Sequence, residues 1–174
     1  DYLDNLTALR QDAMARAFTE HGFSASEARK IAEEAFLVFH RARNQVTFFP
    51  GALEVLEQLA DSYQLGALTN GNADLQQIGI SDLFAFHHSS ETIGKRKPAP
   101  DMFRAALQSA RVNASQAVHV GDHPLEDVHA AREHGMHAIW ANLIDLDWPA
   151  ELERPRHHIH NLHELPDLVP LFDD

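Results

Sequence analysis

Short apolar runs alternate with segments of helical periodicity from residue 50 onward, and this alternation limits the fold more than any other feature of the chain. Strands that alternate with helices in this way form a parallel sheet with helices on its faces. We therefore predict an α/β fold, a Rossmann-like parallel sheet flanked by helices. The predicted strands are residues 65–69, 85–89, 117–120 and 138–141, with a helix predicted at 125–134 and a last short helix from Asn161.

The first 45 residues have a different pattern. Apolar residues recur at helical spacing over 6–18, and Ser24 with Glu27 resembles a capping box that opens a second amphipathic helix. We predict a small helical cap at residues 1–45 and an α/β core at residues 46–174.

Composition excludes several classes of function. The formal net charge of −12 would repel a nucleic acid backbone, so we expect no nucleic acid partner. Cysteine is absent, which excludes disulfides, thiolate catalysis and cysteine-based zinc sites. No apolar run is long enough to cross a bilayer and the first residues are acidic, so we expect a cytoplasmic protein without a membrane partner.

Polar residues follow the predicted strands where each strand ends. Thr69, Ser89 and Asp122 close three of them, and Lys97 lies on the loop after the second of these strands. Ligands of open parallel sheets bind beyond the carboxyl ends of the strands, so we expect these side chains to share one rim.

The acidic residues at this rim suit a metal. Magnesium prefers oxygen ligands and keeps several waters, so Asp122 and Asp127 are the predicted Mg²⁺ ligands. Gly121, directly before Asp122, allows the backbone to approach closely.

The remaining residues at the rim suit a phosphoryl group. The Thr69 hydroxyl and the amides of Asn70 and Gly71 can donate hydrogen bonds to phosphoryl oxygens. Lys97, which Pro98 follows, supplies positive charge for the transition state. We predict Thr69 and Lys97 as catalytic residues, and Thr69, Asn70, Gly71 and Lys97 as the residues that bind substrate.

These motifs carry a family resemblance. Residues 69–71, the pair 97–98, and Gly121 and Asp122 with Asp127 resemble the second, third and fourth motifs of the haloacid dehalogenase (HAD) superfamily of hydrolases. Residues 120–124 are similar to members that act as flavin mononucleotide or sugar-phosphate phosphatases. The resemblance implies a HAD-like core with a cap, and a Mg²⁺-dependent phosphatase that hydrolyses a small phosphate monoester through a phosphoaspartate intermediate.

The first motif of that family has no counterpart here. The family ends its first strand with Asp-x-Asp, and the first of these aspartates is the nucleophile. Neither Asp1 nor Asp4 fits, because no apolar strand precedes them and a helix follows. We expect the nucleophile to lie in a further N-terminal segment, the core to lack its first strand, and the 174 residues alone to be inactive.

Other functions stay open on the sequence. A chain that has lost its first motif would be a non-catalytic protein that binds phosphate esters. A 2-haloacid dehalogenase has a similar fold but uses no metal, so the acidic pair disfavours it. A phospho-receiver domain places its acidic pair near the first strand, which argues against that class. The expected partner is a small phosphorylated metabolite, whose identity the sequence leaves open together with the oligomeric state.

The histidines give no metal motif. His157, His158, His160 and His163 cluster near the C-terminus, but their spacing matches no familiar zinc site. His123 alone adjoins the predicted site, with a role that the sequence does not define.

Overall fold

The structure is a computed structural model that describes residues 4–173, so Asp1 lies outside the described residues. None of the helices in this range is long and apolar enough to cross a bilayer. The strands are β1 (Gly66–Thr69), β2 (Phe86–Ser89), β3 (Val118–Gly121), β4 (His137–Ala141) and β5 (His157–Ile159). The α-helices are α1 (Leu6–Glu20), α2 (Ala25–Arg43), α3 (Ala52–Ala60), α4 (Leu75–Ile78), α5 (Ser90–Ile93), α6 (Pro100–Ala110), α7 (Ala130–Glu133) and α8 (Leu165–Leu168).

Helices α1 and α2 form a hairpin at the N-terminal end of the described chain. The predicted capping box opens α2: the Glu27 amide donates to the Ser24 hydroxyl, and the Ser24 amide donates to the Glu27 carboxylate at 3.0 Å. Small residues on α2, Ala28 and Ala32, are buried and allow the two helices to pack closely.

The strands are parallel, which confirms the predicted α/β fold, but they form two separate sheets. β1 pairs with β2, while β3, β4 and β5 pair in that order. Strand β5 was not predicted, because it has only three residues and two of them are histidines. Ile159 is the strand's fully buried side chain, and it packs in the cluster that includes Val55 and Leu165.

The segment after β3 differs from the regular helix predicted at 125–134. A π-helical turn spans Pro124–His129, and α7 follows it. Pro124 has no N–H to donate, and the amides of Asp127 and Val128 both bond the carbonyl of His123, at 3.0 and 3.3 Å. This widened turn directs Asp127 back towards the end of β3.

A groove separates the two sheets. It encloses about 280 Å³ and runs between β1 and β3, which do not pair with each other within residues 4–173. The edges of both strands therefore lie along its walls, and both strands have their carboxyl ends on the same rim. The groove is lined from the two strands by Gly66, Leu68, Val118, His119 and Val120, and from helix α6 by Ala106, Leu107 and Ala110.

Candidate active site at the rim of the sheets

A buried ion pair stands at the rim between the two sheets. Lys97 Nζ lies 2.5 Å from Asp127 Oδ1 and donates to the Leu68 carbonyl at 3.1 Å, so it links β1 to the turn after β3. His119 Nε2 lies 2.9 Å from the same Asp127 oxygen. Both Lys97 and Asp127 are buried, so their charges act with little screening by water.

Asp127 is held as a carboxylate. Burial alone would raise the pKa of Asp127, but the hydrogen bond from His119 and the charge of Lys97 outweigh it, and the pKa lies well below its ordinary value. The other oxygen, Oδ2, accepts the His123 amide at 3.1 Å. Three donors therefore fix the orientation of this side chain.

Asp122 presents a contrast. It directly follows β3 and is exposed, and its carboxylate forms no hydrogen bond or ion pair with residues 4–173. The indole N–H of Trp140 donates to the Asp122 carbonyl at 2.9 Å and fixes the backbone there. The carboxylate of Asp122 is thus positioned and open to a ligand.

The donor chemistry at this rim fits magnesium, which prefers carboxylate oxygens and water. Asp122 offers a free carboxylate, whereas Asp127 is ionised but already accepts three hydrogen bonds. Within the described part of the chain, no three His, Asp or Glu side chains come together as a metal site. Further ligands would therefore be waters or groups from outside residues 4–173, and the Mg²⁺ assignment stays a prediction.

The loop after β1 is tied to the lysine. Asn70 Oδ1 accepts the Lys97 amide at 2.7 Å, and Asn70 Nδ2 donates to the Lys97 carbonyl at 2.9 Å and to Glu126 at 2.8 Å. The Thr69 hydroxyl accepts the Gly71 amide at 2.9 Å. The predicted residues Thr69, Asn70, Gly71 and Lys97 therefore lie in one region, and the Asn70 side chain is occupied in holding the Lys97 segment.

The hairpin of α1 and α2, the predicted cap, contacts this loop through Asn72, which the sequence did not single out. The Asn72 side chain accepts from Arg10 at 3.1 Å and donates to Thr7 at 3.1 Å, both on α1. His40 on α2 bonds the Asn72 carbonyl at 2.8 Å. One buried asparagine thus joins both cap helices to the loop after β1.

Two further residues at the site, His119 and Glu126, were not predicted from the sequence. His119 is a polar residue inside an apolar strand, and that was the available signal. Glu126 accepts from both Asn70 and Arg96, the latter at 3.0 Å, but an acidic residue in a first helical turn is common and gave no signal.

The histidines near the C-terminus do not form a metal site in the described chain. His160 pairs with Asp145 at 3.1 Å on the surface. His123 caps the π-helical turn, because its Nδ1 accepts the amides of Leu125 and Glu126.

Gly121 is required for space beside Asp127. A Cβ at residue 121 would overlap the Asp127 side chain and would lie 2.7 Å from its Oδ2. We expect Gly121→Ala to displace Asp127 and to lower the free energy of unfolding by about 1–3 kcal/mol.

Gly71→Ala is the matched control, measured in the same urea denaturation. The nearest atoms to a Cβ at residue 71 are the mobile end of Arg43, at 3.1 Å, and Thr69 Oγ1, at 3.2 Å. We expect a loss below about 1 kcal/mol there. Equal stability of the two variants would contradict the role assigned to Gly121.

The fold and the site define an α/β protein with a lysine, an ionised aspartate and an open aspartate at the carboxyl rim of parallel strands. The model of the haloacid dehalogenase-like hydrolase family matches residues 1–141. The chain therefore belongs to this family of hydrolases, as the motifs predicted.

Relatives include phosphatases. The chain is 31% identical to 5-amino-6-(5-phospho-D-ribitylamino)uracil phosphatase YigB of Escherichia coli (strain K12), over 95% of this chain and 71% of that protein. It is 34% identical to phosphoserine phosphatase of Thermus thermophilus, over 76% of this chain and 54% of that protein. The chain therefore spans between about half and three quarters of these relatives.

Solved structures agree on the fold. A 2-haloacid dehalogenase from Pseudomonas syringae pv. Tomato DC3000 superposes with a TM-score of 0.93 at 42% identity, over 98% of this chain and 74% of that chain. A HAD phosphatase from Thermococcus onnurineus superposes with a TM-score of 0.69 at 24% identity, over 97% of this chain and 88% of that chain, and supports the fold alone.

Proposed function

We propose that the complete protein is a Mg²⁺-dependent phosphatase that hydrolyses a small phosphate monoester through a phosphoaspartate intermediate. The observation that carries the proposal is the pairing of Lys97 with ionised Asp127 at the rim, next to the open carboxylate of Asp122. This combination of one cation and two carboxylates suits the binding of a metal and a phosphoryl group at one point.

The groove between β1 and β3 is the place that we propose for the strand that carries the nucleophile. Within residues 4–173, β1 and β3 do not pair with each other, so a strand between them could bond the edges of both and join the two sheets into one. If that strand runs parallel to its neighbours, its last residues reach the rim beside Lys97. We propose that an N-terminal segment outside the 174 residues supplies this strand and the nucleophilic aspartate, so that residues 1–174 alone are inactive.

Each residue then has a role in phosphoryl transfer. The aspartate attacks phosphorus as the P–O bond to the alcohol breaks, and the departing alkoxide takes a proton from water. A second water then hydrolyses the acyl phosphate to inorganic phosphate and the free aspartate, while the Lys97 ammonium stabilises the negative charge of the transferring group. The Thr69 hydroxyl, whose oxygen accepts the Gly71 amide, donates to that group and orients it. Asp122 and Asp127, the latter fixed by Lys97 and His119, would hold Mg²⁺. Bound Mg²⁺ supplies further neutralisation of phosphoryl charge.

A 2-haloacid dehalogenase is the second candidate. The 42% identical structure from Pseudomonas syringae bears that description. Such an enzyme displaces halide without a metal, and it gives no role to an open Asp122 at the rim. The acidic pair therefore favours the phosphatase.

One experiment separates the two candidates. The complete protein is assayed for phosphate release from nucleotides, flavin mononucleotide, sugar phosphates and phosphorylated acids, with magnesium and with EDTA, and for chloride release from 2-chloropropionate. We expect phosphate release that EDTA abolishes, and no activity from residues 1–174. Chloride release without magnesium would establish the dehalogenase instead, and a protein that binds esters without turnover would refute both.

A further inference from the structure

Two guanidinium groups of the cap face the loop after β1. Arg10, on α1, donates to Asn72 at 3.1 Å and lies over the Phe39 ring, 5.3 Å from its centroid. Arg43, the last residue of α2, places Nη2 against Gly71, only 3.1 Å from where a Cβ at that residue would lie. Both guanidinium groups therefore face the loop that directly follows Thr69.

Arg10 and Arg43 differ from the three consecutive cations at residues 95–97, each of which pairs with a carboxylate. Lys95 pairs with Asp4, Arg96 with Glu126 and Lys97 with Asp127. Within residues 4–173, no carboxylate forms an ion pair with Arg10 or Arg43. In a chain with a net charge of −12, two such guanidiniums beside one loop form a local site for an anion.

Gly71 keeps this site open. The position that a side chain at residue 71 would take lies 3.1 Å from Arg43 Nη2 and 3.2 Å from the Thr69 hydroxyl. The absence of a side chain thus leaves space between the hydroxyl that faces the phosphoryl group and the guanidinium of the cap.

We propose that Arg43, with Arg10 bonded to Asn72 of the same loop, binds a carboxylate on the leaving group, so that the substrates are phosphorylated carboxylic acids. This proposal rests on the proposed phosphatase. Lys97 and the aspartates approach the rim from the core, whereas Arg43 approaches from helix α2. A phosphoryl group held by Lys97 and Thr69 would therefore direct its leaving group towards Arg43. A guanidinium binds a carboxylate through two parallel hydrogen bonds, which suits discrimination between acids and neutral analogues.

The test uses pairs of esters that differ in the carboxylate: phosphoglycolate with ethyl phosphate, and phosphoserine with phosphoethanolamine. For the complete protein, we expect kcat/KM to be higher for the acid in each pair by about tenfold or more, because a hydrogen bond to a charged group contributes about that factor. Arg43→Met should reduce this ratio towards one. Arg41→Met is the matched control, since Arg41 lies on the same helix but lines a separate cavity, and it should leave the ratio unchanged.

The outcomes are distinct. If Arg43→Met slows both members of a pair equally, Arg43 contacts the transferring phosphoryl group and the carboxylate subsite is wrong. A ratio near one in the unmodified protein, with active turnover, overturns the subsite alone. Absence of phosphate release from every ester overturns the phosphatase and the subsite together. Circular dichroism melts of both variants, expected to match the parent, show that a changed ratio does not come from unfolding.

Discussion

Lys97→Met is expected to lower the free energy of unfolding of the chain by about 3–5 kcal/mol, because it leaves the buried carboxylate of Asp127 without its cation. The side chains of Lys97 and Asp127 are only 9% and 6% exposed, so water cannot replace the lost partner. Urea denaturation of the 174-residue chain measures the loss without any assumption about activity.

Lys95→Met is the matched control. The Lys95 side chain is 58% exposed and lies 3.6 Å from the carboxylate of Asp4, so its removal should change stability by less than about 0.5 kcal/mol. Equal free energies of unfolding for Lys97→Met and Lys95→Met would show that the buried pair of Lys97 and Asp127 does not stabilise the fold.

The loss at Lys97 should also depend on pH. The folded-state pKa of Asp127 is depressed, so its ionised form contributes stability above the ordinary pKa of about 4, and this contribution is lost as the pH falls. Without Lys97, the depression is smaller. The difference between the parent and Lys97→Met should therefore stay constant from about pH 7 to about pH 5 and shrink as the pH falls below about 4.

If the proposed phosphatase is right, Asp122→Asn is expected to reduce Mg²⁺-dependent turnover of the complete protein by about 10²–10³-fold, because the amide keeps the shape of the side chain but removes the charge that would hold the metal. Stability should change little, since the Asp122 side chain is exposed and has no partner within residues 4–173. Phosphate release over a magnesium titration measures the effect.

Asp101→Asn provides the comparison for Asp122. Asp101 is exposed in the first turn of α6, and its carboxylate forms no hydrogen bond or ion pair within residues 4–173, so turnover of Asp101→Asn should match that of the parent. Full activity of Asp122→Asn at every magnesium concentration would remove Asp122 from the proposed metal site.

The rule for parallel sheets needs only the ends of strands, so Thr69 and Asp122 could be placed at one rim without any knowledge of packing. Lys97 lies on the loop after β2 and was selected because Pro98 follows it. The partners of Asp127 could not be predicted in this way. His119 reaches Asp127 only because β3 turns this side chain towards the π-helical turn, and that turn depends on how His123 caps it.

The fold was predictable where apolar periodicity was strong. β5 consists of two histidines and Ile159, which is its one fully buried residue, so it has no apolar pattern of its own. Its pairing with β4 depends on contacts from distant parts of the chain. The hydrogen bonds of Asn72 likewise join residues that lie more than thirty positions apart, beyond the reach of any local pattern.

Hydrogen bonds of Asn72 link the hairpin of α1 and α2 to the loop after β1. Its side chain bonds α1, its carbonyl bonds α2, and the residues that follow bond Asn44 at the end of the hairpin, where the Asp74 amide donates at 3.0 Å. A rotation of the hairpin would therefore displace the backbone beside Thr69. In the proposed phosphatase, movement of the hairpin and release of the phosphoryl group by Thr69 would then be one motion, and product release would need no separate trigger.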